Sequence, residues 1–186
     1  MRNTRWIVRL AFMFALAGSV LFADEKPARD GQHDFDFWMG SWQVHNRRML
    51  KPLTDSKEWV EFDGTTVARP VWGGLANVDE YEGKAPAGRI QGMTVRTYNT
   101  KTGQWSLYWA NSTSGEIAMP PTVGHFDGKG KGEFFDKEDY KGKPIVVRYT
   151  WKIIDANHCR WEQAFSPDDG KTWETNWIME NTRVKE

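Results

Sequence analysis

Cysteine is almost missing from this chain. Cys159 is the only one in 186 residues, so no internal disulfide can form and the core must hold itself together. A domain of about 160 residues can do that, since it buries roughly 70% of its unfolded surface. The same count excludes a lipidated N-terminus, because no cysteine follows the leading apolar run to carry the lipid. Cys159 itself, two residues before Trp161, reads as a small buried apolar side chain.

Long hydrophobic runs are scarce as well. Leu10 to Phe22 is one uncharged, mostly apolar stretch of thirteen residues, preceded by Arg2, Arg5 and Arg9 and closed by the small Ala23. That is the layout of a secretory signal peptide, and it is short for a membrane span. Cleavage is expected after Ala23, with Ser19 as the alternative site. Export to the periplasm or the medium follows, without a stable membrane anchor. Asp24 to Gln32 is polar and reads as a flexible leader, so the domain is expected over 33–186.

No excess of one charge sign is present. Lys and Arg number 25, as do Asp and Glu. Removing residues 1–23 takes away three arginines and leaves 22 against 25, a net −3. No basic face for nucleic acid emerges from that balance. Lys129, Lys131, Lys137, Lys141 and Lys143 are interleaved with Asp127, Glu133, Asp136, Glu138 and Asp139, which reads as a solvated turn region.

Helical periodicity is absent too. No amphipathic helix of three turns can be drawn past residue 33, and His33–Met39 allows only a single turn. What is present is alternation. Ten segments carry it: 41–49, 57–68, 75–82, 89–99, 104–112, 122–127, 132–136, 143–154, 158–166 and 173–184. The clearest places Ile145, Val147, Tyr149, Trp151 and Ile153 on one side and Arg148, Thr150 and Lys152 on the other. Period-two segments rich in β-branched and aromatic residues are strands. Turn chemistry at Asn99–Gly103 and Asp168–Lys171 joins neighbours as hairpins. An antiparallel up-and-down meander of about ten strands hides its edges most simply by closing into a barrel.

Ten tryptophans remain once Trp6 is removed with the leading segment. Each large ring buries ~150–250 Å². They either fill the barrel or line a cavity that a ligand fills.

One segment carries a resemblance. His33-Asp-Phe-Asp-Phe-Trp-Met-Gly-Ser-Trp42 is similar to the G-x-W opening of lipocalins and their calycin relatives, with Gly40 and Trp42 in the motif positions. The resemblance implies a short helical turn before the first strand and a tryptophan plugging the closed end. It also implies an arginine from the last strand across that indole, for which Arg183 is the candidate. With Y-N-x-x-T-G-x-W in the middle and D-G-K-T-W near the end, the chain resembles an uncharacterised bacterial lipocalin-like family. Ser166–Trp173 resembles the Asp-box hairpin of sialidase-type propellers. There Asp168 would bond turn amides, Gly170 would take a positive φ and Trp173 would anchor the returning strand. A single copy is read as a turn.

Chemistry-bearing constellations are few. His33, His45, His125 and His158 show no H-x-H or H-x-x-x-H spacing, so no metal is expected. No cofactor is expected either. Haem through His125 is the alternative, drawn from haem-binding barrels of the superfamily. Neither a nucleophile elbow nor a glycine-rich phosphate loop occurs. Glu80 and Glu82 share a strand face and are read as solvent-exposed.

The leading reading is a binding barrel for a small hydrophobic or aromatic ligand. Trp105, Trp109, Tyr149, Trp151 and Trp177 are expected as lining, with Asn111 and Arg96 as polar contacts. A barrel enzyme with Arg96 and Glu162 as an acid–base pair is the second reading. A filled barrel acting through its outer surface is the third.

Overall fold

The computed structural model describes residues 29–185. The leading segment read as a signal peptide lies outside them. Ten strands follow one another: β1 (Gly40–Met49), β2 (Trp59–Val71), β3 (Ala76–Ala85), β4 (Gly88–Asn99), β5 (Gln104–Asn111), β6 (Thr122–Phe126), β7 (Lys131–Tyr140), β8 (Lys143–Ile153), β9 (His158–Ser166) and β10 (Glu174–Arg183). Each pairs antiparallel with its neighbours in sequence, and β1 pairs with β10, so the sheet closes into a barrel. Closure pairs every strand on both sides over at least part of its length, which leaves little open edge. Among the described residues the only helical elements are two single 3₁₀ turns, Asp36–Trp38 and Trp72–Gly74.

Alternation explains the strands. On β1, Trp42, Val44 and Asn46 are buried while Gln43, His45 and Arg47 face water. On β2, Phe62, Thr66 and Ala68 point in and Glu61, Thr65 and Val67 point out. The weakest seam is β5–β6, where only three residue pairs join the strands, from Trp105↔Gly124 to Leu107↔Thr122. Past Leu107, β5 continues without β6. The connecting loop covers it instead, through an Ala110↔Ile117 bridge and an Ala118 N–H donated to the Trp109 carbonyl at 2.7 Å.

One end of the barrel is sealed. The turn Asp36–Trp38 enters it and brings Phe35, Trp38 and Trp42 together with Trp105, Phe126, Phe134 and Trp151 in one buried cluster. Phe35 meets Trp105, Phe126 and Trp151 edge-on, with centroids 5.1, 5.1 and 5.8 Å apart. Trp38 stacks on Trp42 at 5.0 Å. Arg183 sits over the other indole, with Cζ 4.3 Å from the Trp42 centroid. Its guanidinium also donates to the carbonyls of Phe37 and Met39, satisfying two backbone acceptors that the 3₁₀ turn leaves open. Gly40 takes φ 105°, and a Cβ there would lie 3.0 Å from Arg183 Nη1. A glycine is therefore needed both for conformation and for space.

Within the stretch 24–32 that reads as a flexible leader, Gly31 is fastened to the sealed end. The Gly31 N–H donates to Tyr98 Oη at 2.8 Å, and Trp105 Nε1 donates to the Gly31 carbonyl at 2.9 Å. The strand expected over 132–136 runs further into the mixed-charge region than its alternation suggests. Lys131–Tyr140 is strand, and its alternation is masked because both faces of its second half carry polar residues.

The D-G-K-T-W hairpin between β9 and β10 is held by its own polar side chains. Asp168 accepts from the Thr172 N–H at 2.8 Å and from Thr172 Oγ1 at 2.7 Å, while Trp173 Nε1 donates to the Gly170 carbonyl at 3.0 Å. Gly170 has φ 88°. The Thr172 N–H and the hydroxyls of Thr172 and Ser166 hold the Asp168 carboxyl down at about 2. Cys159 is buried in the barrel wall, where desolvation pushes its thiol up to about 12, so it is packing and not a reactive thiol.

Candidate functional site

Above the plug the barrel is hollow. A cavity of about 630 Å³ opens at the end opposite the 3₁₀ turn. Its wall is a belt of five aromatic side chains from five strands: Trp109 on β5, Tyr81 on β3, Trp177 on β10, Trp161 on β9 and Tyr149 on β8. Successive ring centroids along that belt lie 6.4, 6.4, 5.7 and 5.0 Å apart.

Local sequence places these rings. Gly92 on β4 stands opposite Tyr81 and Asn111, and a Cβ on it would lie 1.9 Å from the Trp109 ring. The missing side chain is what lets the Trp109 indole lie across the neighbouring strand. Asn46, fully buried on β1, accepts from Tyr81 Oη at 2.9 Å and from Trp177 Nε1 at 3.1 Å. Two amphipathic rings are thus oriented by one amide oxygen. Burial pushes the Tyr81 hydroxyl well above its ordinary range, so it stays protonated and remains a donor.

The floor is charged. Arg96 and Asp79 are 3% exposed each, and Arg96 Nη1 lies 2.5 Å from Asp79 Oδ2. Asp79 also accepts from Trp38 Nε1 at 2.9 Å and from the Thr94 N–H at 3.3 Å. Arg96 Nη1 donates to Asn77 Oδ1 at 3.0 Å, and its Cζ lies 5.0 Å from the Phe35 ring. The plug therefore supplies both a donor to the carboxylate and an aromatic face to the cation. A buried pair needs such extra partners to offset its desolvation.

The mouth carries Arg48, Lys137, Asp136, Glu138 and Asp139. Arg48 Cζ lies 4.4 Å from the Trp177 centroid, and burial draws its affinity for the proton down. Burial raises the Asp136 and Glu138 carboxyls, and for Glu138 the Asp136 charge adds to the effect. The Tyr149 hydroxyl is raised chiefly by burial and secondarily by those two carboxylates.

Of the residues expected from the sequence, Trp109, Tyr149, Trp151, Trp177 and Arg96 meet around this cavity. Trp105 shares the strand face of Trp109 but lies within the plug, 1% exposed. Asn111 ends β5 outside the lining and accepts from the N–H groups of Thr113 and Ser114, both at 3.0 Å. The pairing of Arg96 with Glu162 does not occur. Glu162 lies on the outer face of β9 and binds Arg160 Nε at 2.6 Å, and the acid beside Arg96 is Asp79. Alternation across Trp161 and Gln163 carries that signal, since both neighbours of Glu162 point inward.

Asp79, Tyr81 and Trp161 line the cavity beyond the residues expected from the sequence. The parity of Tyr81 on β3 places Asp79 on the same face, and that of Cys159 on β9 places Trp161 inward. All four histidines are exposed. His125 faces outward from β6, so the interior has no axial histidine and does not fit the haem alternative. Among the described residues no three His, Cys, Asp or Glu side chains converge as a metal site.

The family described as "Protein of unknown function (DUF1579)" matches residues 32–183. No curated protein matches the sequence. Among solved structures, the S-type phycobiliprotein lyase CPES from Guillardia theta is similar at TM-score 0.59 and 12% identity, over 86% of this chain and 95% of that one. At that identity the likeness is one of fold. A redesigned β-barrel aligns at TM-score 0.45 and 10% identity, over 85% of this chain and 98% of that one.

Proposed function

This chain belongs to the DUF1579 family, and we propose that it is an exported barrel that holds one small, largely apolar molecule among its aromatic rings. The observation that carries this reading is the five-ring belt around an open cavity of about 630 Å³. Ligand pockets have volumes of ~300–1,000 Å³, with apolar walls and a few placed polar groups. A barrel meant only to be solid would close this space, because interiors otherwise pack as densely as organic crystals. Export is supported by the sequence alone, through the arginines and apolar run ahead of residue 23.

Native mass spectrometry of the chain purified from its exported compartment tests the reading without a guess at the ligand. A bound small molecule, released on denaturation, is the expected result. In parallel, apolar fluorescent probes should quench tryptophan emission, and Trp161→Ala should reduce that quenching. If no co-purified molecule is found and no apolar probe binds, the reading is wrong.

A further inference from the structure

A guanidinium carries five N–H donors on three nitrogens. Those of Arg96 are unequally used. Among the described residues its contacts with Asn77 and Asp79 both leave from Nη1, and Nε is buried without an acceptor. Trp151 Nε1 is likewise buried without an acceptor, and the Trp151 ring centroid lies 5.7 Å from Arg96 Cζ. Both residues line the cavity floor. Two neighbouring orphan donors are an exception to the rule that buried polar groups are paired, and each costs ~1–3 kcal/mol while unmet. The floor therefore lacks an acceptor.

Charge decides which acceptor suits it. The positive charge of Arg96 is already matched by Asp79. Around the whole cavity Arg48, Arg96 and Lys137 face four carboxylates, those of Asp79, Asp136, Glu138 and Asp139. A carboxylate ligand would enter a site with no spare cation at its floor and acids at its mouth. A hydrocarbon would leave both donors unmet. A neutral carbonyl meets both conditions.

We propose that the occupant is a neutral aromatic or alicyclic molecule bearing a carbonyl oxygen, which it points at Arg96 and Trp151 while its ring lies within the aromatic belt. This rests on the cavity reading above and specifies its ligand class. Neither orphan nitrogen is exposed to the cavity, so the carbonyl is seated with a side-chain adjustment at the floor, of the kind that binding commonly brings.

The test uses four probes of one size: 2-acetylnaphthalene, 2-ethylnaphthalene, 2-naphthoate and a naphthyl trimethylammonium salt, titrated by tryptophan quenching. The ketone is expected to bind roughly 10-fold tighter than the hydrocarbon, the size of one hydrogen bond from a charged donor. The naphthoate should be weaker than the ketone. In Arg96→Met the ratio of ketone to hydrocarbon affinity should fall most of the way to one, with Trp151 Nε1 the one donor left. Because that change leaves Asp79 buried and unpaired, the joint variant Arg96→Met with Asp79→Leu repeats the measurement in a barrel without the lone charge.

If hydrocarbon and ketone bind equally, or naphthoate or ammonium binds best, the carbonyl assignment is overturned and the apolar-cavity reading stands. Should the ketone keep its full advantage in the joint variant, Arg96 is not its donor and the assignment is likewise overturned. If no probe binds at all, the cavity reading itself fails.

Discussion

Asp79 and Arg96 face each other across the β3–β4 seam at the floor of the cavity, 2.5 Å apart and almost wholly buried. Removing one partner of such a pair strands the other in a medium that cannot solvate it. Asp79→Leu should therefore destabilise the fold by about 3–5 kcal/mol. Adding Arg96→Met to it should restore most of that loss, because two apolar side chains replace two charges. Urea unfolding of the single and joint variants measures both. A single variant within about 1 kcal/mol of the parent would mean that the pair is already reached by water.

Arg183 closes the opposite side of the plug. It combines a cation over the Trp42 indole with donations to the Phe37 and Met39 carbonyls. The cation–π contact is worth ~0.5–2 kcal/mol, and the bonds from a charged donor add to it. Arg183→Ala should cost about 2–4 kcal/mol and loosen the 3₁₀ turn. Arg183→Lys should recover less than half, because an ammonium lacks the planar fork that spans both carbonyls. Unfolding midpoints, with hydrogen exchange at Trp38 and Met39 for the turn, provide the readout.

The ten strands could be read from the chain because alternation survives wherever one face is buried. It fails in the second half of β7, where Asp136 and Glu138 point to a wet mouth and Lys137 and Asp139 flank them. Depth along the barrel is also invisible to alternation. Trp105 and Trp109 share a face, yet one seals the floor and the other lines the space above it, because Phe35 and Trp38 set the floor level from another part of the chain. Polar residues mislead in the same way. Asp79 stands beside the exposed Glu80 and looks as solvated, but its face is the one that Tyr81 marks as inward. Arg183 and Trp42 were legible because the resemblance pairs those two positions.

Gly92 makes room for Trp109. A valine there would place methyl groups where the indole now lies, since even a bare Cβ falls 1.9 Å from the ring. Gly92→Val should push the ring into the cavity or out of the barrel, at a cost of about 1–3 kcal/mol from overpacking. Probe affinity should fall with it, and the tryptophan emission maximum should shift. Affinity unchanged by this substitution would place the probe away from the Trp109 side of the belt.

The Asp168 carboxyl is the group that ties acid stability to one hairpin. The Thr172 N–H and the hydroxyls of Thr172 and Ser166 hold it at about 2, below its ordinary value of 3.8. A depressed carboxylate stabilises the fold fully above its unfolded value, and that contribution is lost as the pH falls towards the folded one. The β9–β10 turn should therefore weaken between about pH 4 and pH 2. Asp136 and Glu138 work in the opposite sense, because burial raises them, so acid relieves the mouth while it loosens the hairpin. Asp168→Asn separates the two effects. Its Tm should lie below the parent's at neutral pH and converge on it towards pH 2. A gap between the two proteins that stays constant across that range would assign the loss to shape alone and free the Asp168 charge of any role.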